Sequence, residues 1–106
     1  MDLYTYSNDD LLKGEGQPPQ LVSIVLATYN GEVFLAKQLE SLFNQTYQNI
    51  EIIAVDDCSK DKTVEILQEH AHRHRNMKVF VNERNLGFIK NFEKGCSLSS
   101  GELIAF

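Results

Sequence analysis

Four short apolar runs alternate with three amphipathic stretches along this chain. Leu21-Val22-Ser23-Ile24-Val25-Leu26-Ala27 and Ile50-Glu51-Ile52-Ile53-Ala54-Val55 are almost continuously apolar, as strands buried on both faces of a sheet are. Lys78-Val79-Phe80-Val81 and Leu103-Ile104-Ala105-Phe106 are shorter runs of the same kind. The stretches between them have helical spacing. A helix is predicted near Glu32–Asn44 with Leu35, Leu39, Leu42 and Phe43 as its stripe, and another near Lys62–His74 with Val64, Leu67 and Ala71. A third is predicted near Phe88–Leu98 with Ile89, Phe92 and Cys96. Asp61 is placed to cap the second helix, because a carboxylate there accepts from the first free amides. Ser99-Ser100-Gly101 ends the third.

The order βαβαβαβ predicts parallel strands joined by right-handed crossovers. The fold class is therefore α/β, three-layered, with a mostly parallel sheet and helices on both faces. The strand ends at Tyr29, Asp57, Asn82 and Phe106 then share one rim, which is where open α/β sheets bind ligands.

Composition narrows the function classes. The chain has 106 residues, enough for one domain. Its net charge is −5, of which residues 1–20 carry −3 through Asp2, Asp9, Asp10 and Glu15 against Lys13. No broad basic face is left for nucleic acid. No apolar run approaches the ~20 residues that cross a bilayer. The N-terminus lacks the basic and apolar segments of a signal peptide. Residues 1–20, ending in Gly14-Glu15-Gly16-Gln17-Pro18-Pro19-Gln20, read as a flexible leader. Cys58 and Cys96 have no metal-type spacing and fit a reducing cytoplasm as free thiols.

The chemistry concentrates at the rim. Asp56 and Asp57 follow a wholly apolar strand. They suit helix capping, and they equally suit a base or ribose whose N–H or O–H groups need an acceptor. Tyr29, in Ala27-Thr28-Tyr29-Asn30-Gly31, offers a ring for a base to stack on. Backbone groups near Ala27 would meet the base edge. The start of the third helix, at Gly87-Phe88, with Lys90 close by, suits either a tight bend or a diphosphate. His70 and His74 share a helix face, but a structural zinc site needs four ligands and no others are evident. Asn44-Gln45-Thr46 has the form of a glycosylation sequon in a chain with no sign of secretion.

These motifs, in this order, resemble the family 2 glycosyltransferases, which have a GT-A-type fold. The resemblance runs over residues 21–106. It rests on Val22 to Asn30, on Leu42-Phe43-Asn44-Gln45-Thr46-Tyr47, on Val55-Asp56-Asp57-Cys58-Ser59-Lys60-Asp61-Lys62-Thr63, on Asn85-Leu86-Gly87-Phe88-Ile89-Lys90-Asn91-Phe92, and on Ser100 to Phe106. The turn at Asn85 is most similar to the bacterial rhamnosyltransferase-like branch of surface polysaccharide synthesis. The resemblance implies that Tyr29 stacks on the base of a UDP- or dTDP-sugar, that Ala27 contacts it through the backbone, and that Asp57 accepts from its N–H. It implies that Asp56 and Asn30 support the loop or the ribose, and that Lys90 lies near the nucleotide or its phosphates.

Family members carry an Asp-x-Asp-type motif just after the fourth strand, where Mg or Mn meets the diphosphate; this sequence ends before it. The expectation is thus a donor-nucleotide part, residues 21–106, that does not transfer sugar alone. The full protein would pass the sugar to a saccharide or lipid-linked acceptor, in the cytoplasm or at the membrane periphery. An open sheet edge at residues 103–106 would favour homo-oligomers. The rival reading is a non-catalytic nucleotide-binding or receiver-like signalling module. A dehydrogenase is a weaker rival, because the first turn lacks G-x-G-x-x-G.

Overall fold

The computed structural model describes residues 20–44 and 49–105, with side chains described through Gly101. Residues 1–19 of the expected leader, the last three residues of the Leu42–Tyr47 motif and Phe106 lie outside the described residues. The elements are β1 (Val22–Thr28), α1 (Glu32–Phe43), β2 (Ile50–Asp56), α2 (Thr63–Arg73), β3 (Met77–Val81), α3 (Phe88–Leu98) and β4 (Glu102–Ala105). All four strands pair in parallel in the order β3-β2-β1-β4. The chain steps outward from β1 to β3, then returns to place β4 on the other side of β1. Strand order reverses at β1, the topology in which such sheets hold ligands beyond the strand C-termini.

The two faces are packed differently. One carries α1 and α2, and there Ile24, Leu26, Ile52 and Ala54 meet Leu35, Leu39, Leu42 and Leu67 in the main core. Leu39 is fully buried, so truncating it to Ala would cost about 2–5 kcal/mol. The other face carries α3 against a small cluster of Val25, Ile53 and Val55, with Phe80, Phe92 and Cys96 at its margin. Here the helix comes very close. A Cβ at Gly95 would lie 2.4 Å from Val25 Cγ1 and 3.2 Å from Val55 Cγ2, so only glycine fits without displacing the sheet.

Two helix faces differ from the predicted stripes. On α2 the buried residues are Thr63, Leu67 and His70, while Val64 and Ala71 are half-buried. Thr63 is drawn inward because its hydroxyl donates to Asp61 Oδ1 and accepts from Gly31 N–H. His70 Nδ1 donates to Ile66 O at 2.9 Å, and the His74 ring stacks on Phe43 with centroids 3.5 Å apart. On α3 the buried residues are Asn91 and Gly95, and Ile89 is 70% exposed. The close approach at Gly95 turns that side inward and swings Ile89 out.

The N-terminal rim is closed by a buried polar knot. Glu51 Oε1 accepts from Ser23 Oγ at 2.5 Å, Ser100 N at 2.7 Å and Ser100 Oγ at 2.8 Å. Gly101 N donates to Ser23 Oγ at 2.8 Å. One carboxylate therefore ties β1, β2 and the entry to β4 together. Burial pushes the Glu51 carboxyl up, but the hydrogen bonds from Ser23 and Ser100 outweigh it and hold the group below its ordinary value.

Candidate functional site

At the opposite rim the β1–α1 and β2–α2 loops are stitched together residue by residue. Asp56 is fully buried. Its Oδ1 accepts from Thr28 Oγ1 at 2.8 Å and Ser59 Oγ at 2.6 Å, and its Oδ2 accepts from Ser59 N at 2.8 Å. Asn30 has φ 49°, a left-handed conformation that Asn tolerates better than most side chains. Its N–H donates to Ser59 Oγ at 2.8 Å, and its Oδ1 accepts from Lys60 N at 2.9 Å. Asp61 serves both helices, accepting from Thr63 N at 2.9 Å in α2 and from Glu32 N at 3.2 Å in α1. Each loop thus supplies the partners that fix the other.

Asp57 points the other way, into the β3–α3 loop. Its Oδ1 accepts from Leu86 N at 2.7 Å and Asn82 Nδ2 at 3.0 Å, and its Oδ2 accepts from Gly87 N at 3.0 Å. Its carbonyl accepts from Asn85 Nδ2 at 2.6 Å. The residue is 5% exposed. Burial raises its carboxyl, yet the donors from Leu86, Asn82 and Gly87 prevail and hold it below the ordinary carboxylate value. A carboxylate offers about four lone-pair sites. Leu86 and Asn82 fill Oδ1 and Gly87 takes one position on Oδ2, so Oδ2 is the less-used oxygen, with the Asn85 side chain close enough to lower the carboxyl as well.

Beside Asp57 lies a crevice of about 410 Å³, within the range of small-molecule sites. Ala27, Thr28 and Tyr29 come to it from the end of β1 and its loop, and Asp57 from the end of β2. Asn85, Gly87, Phe88 and Asn91 come from the β3–α3 loop and from α3. Tyr29 is 54% and Phe88 71% exposed, and the Phe88 ring lies nearly parallel to Phe92 with centroids 6.4 Å apart, so two aromatic side chains stand at the mouth.

The six residues singled out from the sequence thus separate. Ala27, Tyr29 and Asp57 line one crevice. Asp56 and Asn30 hold the loops beneath it. Lys90 is exposed in the first turn of α3 and is not among the lining residues. In the loop before α3 the Leu86 and Gly87 amides donate to Asp57. Reasoning from pattern placed Asn82 on the rim and Phe88 at the start of the third helix, but gave no side-chain role to them or to Asn91. The available signal was three asparagines, Asn82, Asn85 and Asn91, around one turn, since short amides gather where a backbone needs side-chain partners. Among the described residues no group of three His, Cys, Asp or Glu side chains could hold a metal ion. No described helix is long and apolar enough to cross a membrane.

Comparison with known proteins bears on what such a crevice is for. An uncharacterized glycosyltransferase of Haemophilus influenzae is 38% identical over 85 residues, covering 80% of this chain and 26% of its own. The S. aureus protein TarS, residues 1–349 in complex with UDP, superposes with a TM-score of 0.74 at 30% identity, covering 80% of this chain and 26% of that one. A mannosyltransferase of Pyrobaculum calidifontis, in complex with GDP-Man and Mn2+, has a TM-score of 0.74 at 20% identity, over 81% and 26% of the two chains; it shows the fold alone. The chain spans about a quarter of the length of these relatives. The sequence profile of glycosyl transferase family 2 matches residues 23–106, and the chain belongs to that family.

Proposed function

We propose that this chain holds the nucleotide of a nucleotide-diphosphate-sugar donor within a family 2 glycosyltransferase. The observation that carries the reading is that Tyr29 and Asp57, from neighbouring strands, line one crevice. Tyr29 supplies a stacking face, worth roughly 1–3 kcal/mol per base on the single-strand scale. Oδ2, the less-used oxygen of Asp57, takes an imide N–H, the group that uracil and thymine present and cytosine lacks. The UDP in TarS, a structure 30% identical to this chain, supports a UDP- or dTDP-sugar donor.

The whole protein would transfer the sugar to a saccharide or lipid-linked acceptor, with residues 1–20 as a leader and residues 21–106 as the donor-nucleotide part. Mg or Mn, when bound, would neutralise charge on the diphosphate leaving group. The described residues do not fit such an ion, since they contain no ligand cluster, and they take part in no step through it. Cys58 and Cys96 are both free thiols, which fits work in a reducing cytoplasm.

Calorimetric titration of the chain with UDP tests the reading. Heat of binding is expected for the wild type, weaker or absent heat with CDP, and none for Asp57→Ala. A wild-type chain indifferent to UDP, or an Asp57→Ala chain that binds as well, would overturn it.

A further inference from the structure

A second, polar cleft of about 640 Å³ is lined by Asn82, Glu83, Arg84, Leu86 and Lys94 and shares no lining residue with the Tyr29 crevice. Lys94 Nζ donates to Asn82 Oδ1 at 2.7 Å. Asn82 Nδ2 donates to Asp57 Oδ1 at 3.0 Å and to Asn91 Oδ1 at 2.7 Å. Asn91 Nδ2 donates to Val55 O at 2.9 Å. Asn82 and Asn91 are 4% and 2% exposed. The chain of bonds has one direction. An ammonium only donates, so the oxygen end of Asn82 must face Lys94 and its NH₂ end must face Asp57. Asn91 is oriented by the carbonyl of β2 and confirms that sense by presenting its own oxygen to Asn82. A charged donor on the amide oxygen also polarises the amide and strengthens donation at its other end.

Lys94 is exposed, yet its ammonium has a defined partner in buried Asn82 rather than an acid on its own helix. Its neighbours one turn away on α3 are Lys90, Asn91, Ser97 and Leu98, so no acid pairs with it along the helix, and Lys90 repels it. Glu83 borders the same cleft, yet the hydrogen bond of the ammonium goes to Asn82.

We propose that Asn82, held by Lys94, is the positioning residue for nucleotide recognition, fixing Asp57 so that its less-used oxygen is left to the base. This role rests on the nucleotide reading of the crevice. It places a determinant of base affinity in a cleft that shares no lining residue with the Tyr29 crevice.

The test uses the full chain and two readouts: the titration of the Asp57 carboxyl by carbon NMR, and the affinity for UDP by calorimetry. In Lys94→Met the Asp57 midpoint is expected to rise and the affinity for UDP to fall roughly tenfold, the size of losing one charge-assisted hydrogen bond. Asn82→Ala should do the same more strongly. If that variant fails to fold, the Lys94 variants on the protein surface decide. Lys94→Arg, which keeps a cationic donor, should restore both values. Arg84→Gln removes a like charge from the same cleft without touching Asn82 and should stay within about twofold of wild type. Equal effects of Arg84→Gln and Lys94→Met would reduce the relay to plain charge and overturn it. So would an unchanged Asp57 midpoint in Lys94→Met, or a raised midpoint with unchanged UDP affinity. A wild-type chain that binds no UDP would overturn the nucleotide reading and the base-positioning role together, while the Asp57 midpoint would still report whether the relay grips the carboxylate.

Discussion

The two rims of the sheet each bury a carboxylate whose ionised form the fold favours, and at the C-terminal rim that carboxylate lines a crevice. At the N-terminal rim, Glu51 collects three hydrogen bonds on a single oxygen and joins two strands to the entry of a third. At the C-terminal rim, Asp57 takes three on two oxygens, with Oδ2 the less used, and borders an open crevice with exposed aromatic side chains at its mouth. Burial and a depressed carboxyl pKa are common to both and separate nothing. What separates them is the crevice that Asp57 lines.

The isosteric amides break this comparison most sharply. In Glu51→Gln the amide oxygen can take the place of Oε1 and keep all three donors, so the expected loss is about 1 kcal/mol, the difference between charged and neutral acceptors. In Asp57→Asn the amide oxygen can keep Leu86 and Asn82, but the NH₂ then faces the Gly87 N–H, donor against donor. That should cost about 2–3 kcal/mol in stability and abolish UDP binding, because Oδ2 has been replaced by a donor. Urea unfolding gives the first quantity and calorimetry the second. Equal losses from the two variants would show that the rims are not different in kind.

The strands were legible because both faces of β1 and β2 are buried and their apolar runs are nearly unbroken. The division of labour between Asp56 and Asp57 was not. Asp56 ends β2 and Asp57 comes next, and only the fold shows one turned into the Thr28–Ser59 loop network and the other into the Leu86–Gly87 turn. The face of α3 was misread for a physical reason. Periodicity weighs apolar side chains, and here Gly95 sets the approach while Asn91 goes inward on hydrogen bonds. The acidic pair also allowed a receiver-like module, which the match to glycosyl transferase family 2 sets aside.

Acid should dismantle the rims in sequence. His74 lies at the N-terminal rim on Phe43, and burial first, then Arg73 and His70, hold its imidazole below the ordinary value. The neutral ring is favoured in the fold, so its contribution is complete above about pH 6.5 and lost as pH falls below that. The folded carboxyls of Glu51 and Asp57 are also lowered. Their contribution is complete above the unfolded value, about pH 4, and is lost as pH falls through the folded values. Urea midpoints against pH should therefore show a first decline below about 6.5 that His74→Gln removes, and a second below about 4 that Glu51→Gln and Asp57→Asn each reduce. A single decline, insensitive to all three substitutions, would remove these groups from the account.

Tyr29→Ala should disturb the fold least and still separate the rims. The ring is 54% exposed and is not part of either apolar cluster, so stability should stay within about 0.5 kcal/mol. UDP affinity should nevertheless fall by about 1–3 kcal/mol if the ring is a stacking face. The pairing of outcomes matters more than either value, because residues that build a rim change stability first and residues that face a ligand change affinity alone. Tyr29→Phe keeps the ring and should bind as the wild type does, which separates stacking from any role of the hydroxyl. A loss of stability in Tyr29→Ala as large as its loss of affinity would move Tyr29 from the ligand side of the crevice to the scaffold beneath it.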